Sequence, residues 1–315
     1  MPNTLLSAQG LRKEFRRYPY KFVLEVDRLN LDAGSIQVLM GPNGSGKSTL
    51  ALLLAGVIVP DAGEVKINGR WSPWTTAGRR FLSYLHEGSW LYRSLSGEAN
   101  IKISSAIAAA AYGESPKRLQ EKALKYAGFL GLSREDLRKP VHIYSAGMRR
   151  KIELSLTLAV DVPIYILDMP TVDLDPESRW RFFNLIQERK QSGAGFLVST
   201  HIPEEAQFGD LLLFIKKGKI VASVYPEELK RYIHNVVVLR FNPFHQEQLQ
   251  KALQDIKGAW GDKEVRLYNA DFSNVIHMAK VAGVEVFEGY ETVPHLGDLY
   301  TFLTGEMIAN IEEAK

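Results

Sequence analysis

The chain has 315 residues, 45% hydrophobic and 24% charged, which is the composition of a soluble globular chain with length for about two domains. Its 39 Lys and Arg against 36 Asp and Glu leave a formal net charge of +3, too weak a basic field to point to nucleic acid as the main partner. The absence of cysteine excludes disulfides, thiolate metal sites and cysteine nucleophiles.

Along the chain, Phe22-Val23-Leu24-Glu25-Val26 and Ile36-Gln37-Val38-Leu39-Met40 read as strands. The second runs into Gly41-Pro42-Asn43-Gly44-Ser45-Gly46-Lys47-Ser48-Thr49, and a helical pattern follows over Leu50–Val57. Glu64–Ile67 reads as a strand closed by the turn pair Asn68-Gly69. From about Asn100 to Arg150 the pattern is mostly helical, including the alanine-rich Ala106–Ala111 and the periodic Pro116–Leu130. Ile164–Leu167 is a buried-type strand ending at Asp168. Pro176–Ser192 is an amphipathic helix, and Gly195–Thr200 is a strand ending at His201. Strands alternating with helices predict an α/β fold with a largely parallel sheet. The character changes near Pro226. Strands are expected at Val236–Phe241, Val265–Tyr268 and Val284–Phe287, with helices at His245–Ile256 and Phe272–Val281. These make a small second α/β domain over roughly 234–315. The longest apolar runs, Leu50–Val59 and Ala106–Tyr112, fall far short of the roughly 20 residues that span a bilayer. With no recognisable signal peptide, a cytoplasmic chain is expected.

The spacing Gly41-x-x-x-x-Gly46-Lys47-Ser48 is that of a Walker A loop. Its glycines let successive backbone N–H groups face phosphate oxygens. Lys47 is placed to reach the terminal phosphates, Ser48 to offer its hydroxyl to Mg²⁺, and the following helix turns its positive end to the anion. Asp168, at the end of an apolar strand, stands where a Walker B carboxylate holds Mg²⁺. Arg149-Arg150-Lys151 reads as a solvated helix face, and Glu204-Glu205 as exposed.

Taken together, these residues resemble the nucleotide-binding subunit of an ATP-binding-cassette (ABC) transporter of exporter type. Tyr144-Ser145-Ala146-Gly147-Met148 is similar to the family's signature motif. Ile166–Thr171 is similar to its Walker B segment, Asp173-Leu174-Asp175-Pro176 to its D-loop, and Ser199-Thr200-His201 to its switch histidine. Leu296–Gly305 resembles the closing segment of exporter-type members with a C-terminal extension. The resemblance implies a P-loop NTPase of ABC ATPase type, with a mixed sheet core and a helical subdomain over about 88–150. It divides the chain into a nucleotide-binding domain (1–225), a linker (226–233) and a C-terminal accessory α/β domain (234–315). It also implies ATP held by Gly41, Asn43, Gly44, Ser45, Gly46, Lys47, Ser48 and Thr49, with Phe15 stacked on adenine in competition with Tyr18 and Tyr20. His201 would face the γ-phosphate. Ser145, Gly147 and Met148 would close over the nucleotide of a second ABC subunit. Trp90-Leu91-Tyr92 would meet a short helix of an integral membrane subunit. The chain would then sit on the cytoplasmic face of the membrane.

Two positions depart from the family pattern. Met169 stands where a glutamate polarises the attacking water, and a thioether cannot take a proton at neutral pH. Glu87 stands where a glutamine touches Mg²⁺, and a carboxylate there could join Ser48 and Asp168 as a metal ligand or stand in as a base. The pattern favours the weak half of a heterodimer: the chain's own base is lost, while the motif it lends a partner is kept. A slow homodimer, a base at Glu87, a methionine introduced to trap ATP, and a non-transport or ATP-sensing member all stay open.

Overall fold

Strand-forming stretches in the first forty residues pair into a long antiparallel hairpin, β1 (Thr4–Arg17) with β2 (Tyr20–Asp32), followed by the short buried β3 (Ile36–Met40). The computed structural model describes residues 3–17 and 19–305. Tyr18, the side chain of Tyr20 and residues 306–315 of the expected accessory domain lie outside the described residues. The chain forms two compact units. One holds residues up to 39, 46–200 and 217–219; the other holds 40–45, 201–216 and the chain from 220 on.

In the first unit, helix α1 (Lys47–Leu54) follows the glycine loop, and β4 (Ala62–Ile67) pairs antiparallel with β1. The one-turn α2 (Thr76–Arg79) precedes β5 (Leu82–Leu85). A helical stretch then runs through α3 (Gly97–Tyr112), α4 (Pro116–Phe129), α5 (Arg134–Arg138) and α6 (Ala146–Ala159). After it come β6 (Ile164–Leu167), α7 (Pro176–Gln191) and β7 (Gly195–Thr200). Two strand runs, β4-β1-β2 and β3-β7-β6-β5, belong to one mixed sheet, and β5, β6 and β7 are parallel neighbours. β3, β6 and β7 are buried along their whole length, which is why their sequences are mostly apolar on both faces. The helices share a core of Leu91, Ile101, Ala123, Val141, Ile152 and Leu156.

In the second unit, β8 (Leu211–Lys216) neighbours β9 (Lys219–Val224), and the one-turn α8 (Leu229–Tyr232) follows. A four-stranded sheet of order β11-β12-β10-β13 is built from β10 (Val236–Phe241), β11 (Gly258–Trp260), β12 (Glu264–Tyr268) and β13 (Val286–Thr292). All its paired strands are antiparallel. Helices α9 (Gln246–Ala252) and α10 (Phe272–Val281) supply Leu249, Val275 and Ala279 to a core with Val237, Leu239 and Phe241. Val236 and Val238 point to a second cluster with Tyr268 and Phe302 of α11 (Leu296–Thr304). Both faces of β10 are therefore covered.

Several boundaries differ from the sequence expectations, each for a local reason. α1 stops at Leu54 rather than Val57 because Gly56 turns left-handed at φ 70° and passes close to the Pro73 carbonyl. Asn68 and Gly69 do adopt the left-handed pair (φ 49° and 66°), but they close only an isolated bridge from Ile67 to Trp71. α9 covers only part of His245–Ile256. β13 starts at Val286, not Val284, because the Val284 N–H is used to cap α10 on the Ala279 carbonyl.

Candidate functional site

The loop Gly41–Thr49 is shaped by its glycines. In the second unit a Cβ on Gly41 would lie 2.4 Å from the Ile215 carbonyl and 2.8 Å from Ser45 Oγ. Gly44 is left-handed at φ 78°, and the Ser45 N–H closes a turn on the Pro42 carbonyl. The Ser45 hydroxyl is buried with no hydrogen-bond partner among the described residues. In the first unit Gly46 reaches φ 110° and opens α1 with no side-chain cap. A Cβ on Gly46 would lie 2.9 Å from the ring of Phe22, which stands 6.5 Å from the ring of Phe15. Phe15 itself is 42% exposed rather than a core residue, with the Lys13 ammonium over its ring at 5.8 Å from the centroid.

Lys47 is buried, and burial pushes its ammonium down to about 8, with Asp168 and Glu87 pulling the other way. The three side chains therefore share one electrostatic neighbourhood. Asp168 is also buried, and the Ser199 hydroxyl at the end of β7 donates to its Oδ1. Glu87 is exposed just beyond β5. His201 follows β7 directly and is half-buried.

Met169 adopts the left-handed backbone at φ 49°, a conformation uncommon for a side chain of this size. Its peptide is held from both sides. The N–H donates to Ser199 Oγ at 2.9 Å, and the carbonyl accepts from Arg150 Nη2 at 2.7 Å. The side chain is buried, and its thioether has no proton-accepting capacity to offer water.

Arg150 is the main correction to the sequence reading. It is not on a solvated face but buried, and its guanidinium donates to the carbonyls of His86, Asp168, Met169 and Pro170, with Glu153 at 3.4 Å. Burial pulls its pKa down, and Glu153 opposes this first among the nearby acids. α6 is buried at Arg150 and continuously from Ile152 to Ala159, so no polar stripe in its sequence marked Arg150 as an inward charge. Arg149 donates to the Tyr144 carbonyl, and Lys151 pairs with Asp175 at 2.9 Å. Glu205 is likewise buried rather than exposed. Ser199 carried no expected role of its own, because nothing local separates a strand-end serine from a structural one.

Ser145 caps α6, its Oγ accepting from the Met148 N–H at 3.1 Å. Gly147 is required by packing, since a Cβ there would lie 2.5 Å from the Asp173 carbonyl. Asp173 is itself left-handed, at φ 65°. Trp90 and Tyr92 are exposed on either side of the buried Leu91.

Residues 24–172 match the family model described as ABC transporter. The daunorubicin resistance ATP-binding protein DrrA3 of Streptomyces coeruleorubidus is 28% identical over 322 residues, covering 97% of this chain and 98% of that protein. The daunorubicin/doxorubicin resistance ATP-binding protein DrrA of Streptomyces peucetius is 32% identical over 68% of this chain and 64% of its own length. A solved ATP-binding subunit of an ABC transporter superposes with a TM-score of 0.63 at 28% identity, covering 72% of this chain and 92% of that one. With the glycine loop, the Lys47–Asp168 neighbourhood and the capped α6 turn in the expected chain order, residues 24–172 form an ABC transporter domain, and the chain is similar to the ATP-binding subunits of ABC transporters.

Proposed function

We propose that this chain is the weak half of a heterodimeric exporter, clamping ATP at its own Walker motifs while lending its signature turn to a catalytic partner. The observation that carries the reading is Met169. The residue after the Walker B aspartate has no basic atom, whereas Ser145, Gly147 and Met148 form a capped helix start. In this reading Gly41, Asn43, Gly44, Ser45 and Gly46 wrap the phosphates. Lys47 pairs with their terminal charge, Thr49 adds a first-turn N–H, Phe15 stacks on adenine, and His201 faces the γ-phosphate. Ser145, Gly147 and Met148 face the partner's nucleotide.

The donor set suits Mg²⁺. No cluster of three or more His, Cys, Asp or Glu that could hold a metal occurs among the described residues, but Mg²⁺ needs only one or two carboxylates beside phosphate and water oxygens. Ser48, Asp168 and Glu87 would hold it, and it would neutralise charge on the phosphates. Ser199 keeps Asp168 aimed, and Lys47 regains full charge when an anion arrives.

The assignment of 1–225 to nucleotide binding, 226–233 to a linker and 234–315 to an accessory domain belongs to the same proposal. So does docking of Trp90 and Tyr92 on an integral membrane subunit at the inner face of the cell membrane. The two daunorubicin-resistance relatives support an export role; the cargo is not touched by this chain. No helix among the described residues is long and apolar enough to cross a membrane.

A second reading is favoured by Glu87, whose charge acts on Lys47 and which could replace the lost base. Steady-state phosphate release by the purified chain at saturating Mg-ATP, beside Met169→Glu, separates the two. Nucleotide binding with negligible turnover that glutamate restores supports the clamp. Ordinary turnover that Glu87→Gln abolishes and Met169→Glu leaves unchanged supports the second reading and overturns the first.

A further inference from the structure

We propose that Arg150 is a positioning residue that makes the two nucleotide-facing turns of this chain move as one body. This rests on the reading that nucleotide binds at Lys47 and that Ser145–Met148 faces a partner's nucleotide. The guanidinium joins three segments far apart in sequence. Nη1 donates to the His86 carbonyl at 2.8 Å, one residue before Glu87. Nη2 donates to Asp168 and Met169 at 2.8 and 2.7 Å, and Nε to Pro170 at 3.1 Å. Its own backbone lies in the helix that Ser145 caps.

The chemistry calls for arginine. A planar fork of five N–H donors can serve four carbonyls in fixed directions; a lysine offers three donors from a single point. Three of those carbonyls belong to one turn, and that turn contains Met169 at φ 49°, a conformation that must be held by its surroundings. Ser199 holds the turn from the β7 side and Arg150 from the α6 side. Two further contacts extend the attachment. Gly147 packs against the Asp173 carbonyl, and Lys151 pairs with Asp175. α6 is thus strapped to residues 168–175 along its first two turns. A displacement of Asp168 or Glu87 on nucleotide binding is carried to Ser145–Met148 with little slack, because a buried charge has no water to fall back on if a carbonyl leaves.

The sequence supplies the reporters. Met169 lies in the Walker B turn and Met148 in the signature turn, two of six methionines. ¹³C-methyl-methionine spectra of the full chain, assigned by single Met→Leu variants, are recorded while Mg-ADP is titrated at protein concentrations where it stays monomeric. In the wild type both methyls are expected to shift along one binding curve. In Arg150→Lys the Met169 shift persists, while the Met148 shift is lost. Glu153→Gln leaves the four carbonyl bonds in place and keeps the response. A residue with only a structural role would lower the melting temperature of Arg150→Lys yet leave Met148 following Met169; that result overturns the proposal. If the lysine variant does not fold, Arg150→Gln, which buries no ammonium, replaces it with the same expectation. A wild type in which Met169 moves and Met148 does not overturns the proposal whatever the variants do, and leaves nucleotide binding at Lys47 intact. A wild type in which neither methyl moves overturns both.

Discussion

In the proposed function two turns of the first unit face nucleotide, and they are furnished to different degrees. The turn at Ser145–Met148 has its capping hydroxyl, its forced glycine and its helix start. The turn at Asp168–Thr171 has a buried carboxylate, a left-handed backbone and two anchors, Ser199 and Arg150, but offers a thioether after the carboxylate. The difference is confined to one side chain on an otherwise furnished backbone. A turn without a basic side chain can therefore still be fully anchored, held here by Ser199 and Arg150.

The sharpest way to break this comparison is Met169→Glu. If only the base is missing, phosphate release should rise by about 10²–10⁴-fold, the usual contribution of a general base. A rise below tenfold would show that the turn had lost more than its carboxylate. Next comes Gly147→Ala. A Cβ 2.5 Å from the Asp173 carbonyl must displace backbone, and forced overpacking of this kind costs about 1–3 kcal/mol. Urea unfolding should show that loss. An unchanged midpoint would mean that the glycine is kept for nucleotide alone. Ser145→Ala removes the cap of α6 and should cost about 1 kcal/mol in the same assay.

The smallest effect is a proton. Lys47 is held at about 8 in the folded chain against 10.5 for an ordinary lysine. Between those values the unfolded chain keeps a proton that the folded one has released, so the empty protein should gain stability as pH rises from about 8 to 10.5. A bound polyphosphate favours the ammonium and reverses the shift. Binding near pH 9 should take up a fraction of a proton, read by calorimetry in buffers of different ionisation enthalpy. Binding with no proton uptake would show that Lys47 does not meet the anion.

Much of the site was legible because its chemistry is written at short range. The glycine spacing before Lys47, the apolar strand before Asp168 and the serine before a helical period each declare themselves within ten residues. The long strand β1 was less legible. It gains its stability on two edges, from β2 and from β4, and the sequence of one strand does not state its partners. The pair β8 and β9 was missed for the same reason.

The sequence by itself determined the order of motifs, the alternation of strand and helix, and a thioether rather than a carboxylate after Asp168, because each depends on residue type and local period. Only the tertiary structure decided that Arg150 is buried among four carbonyls, that Glu205 is inside, and that Met169 occupies a left-handed turn pinned from both sides. A charged side chain is drawn inward only when partners from distant segments converge on it, and that convergence exists once the chain has folded.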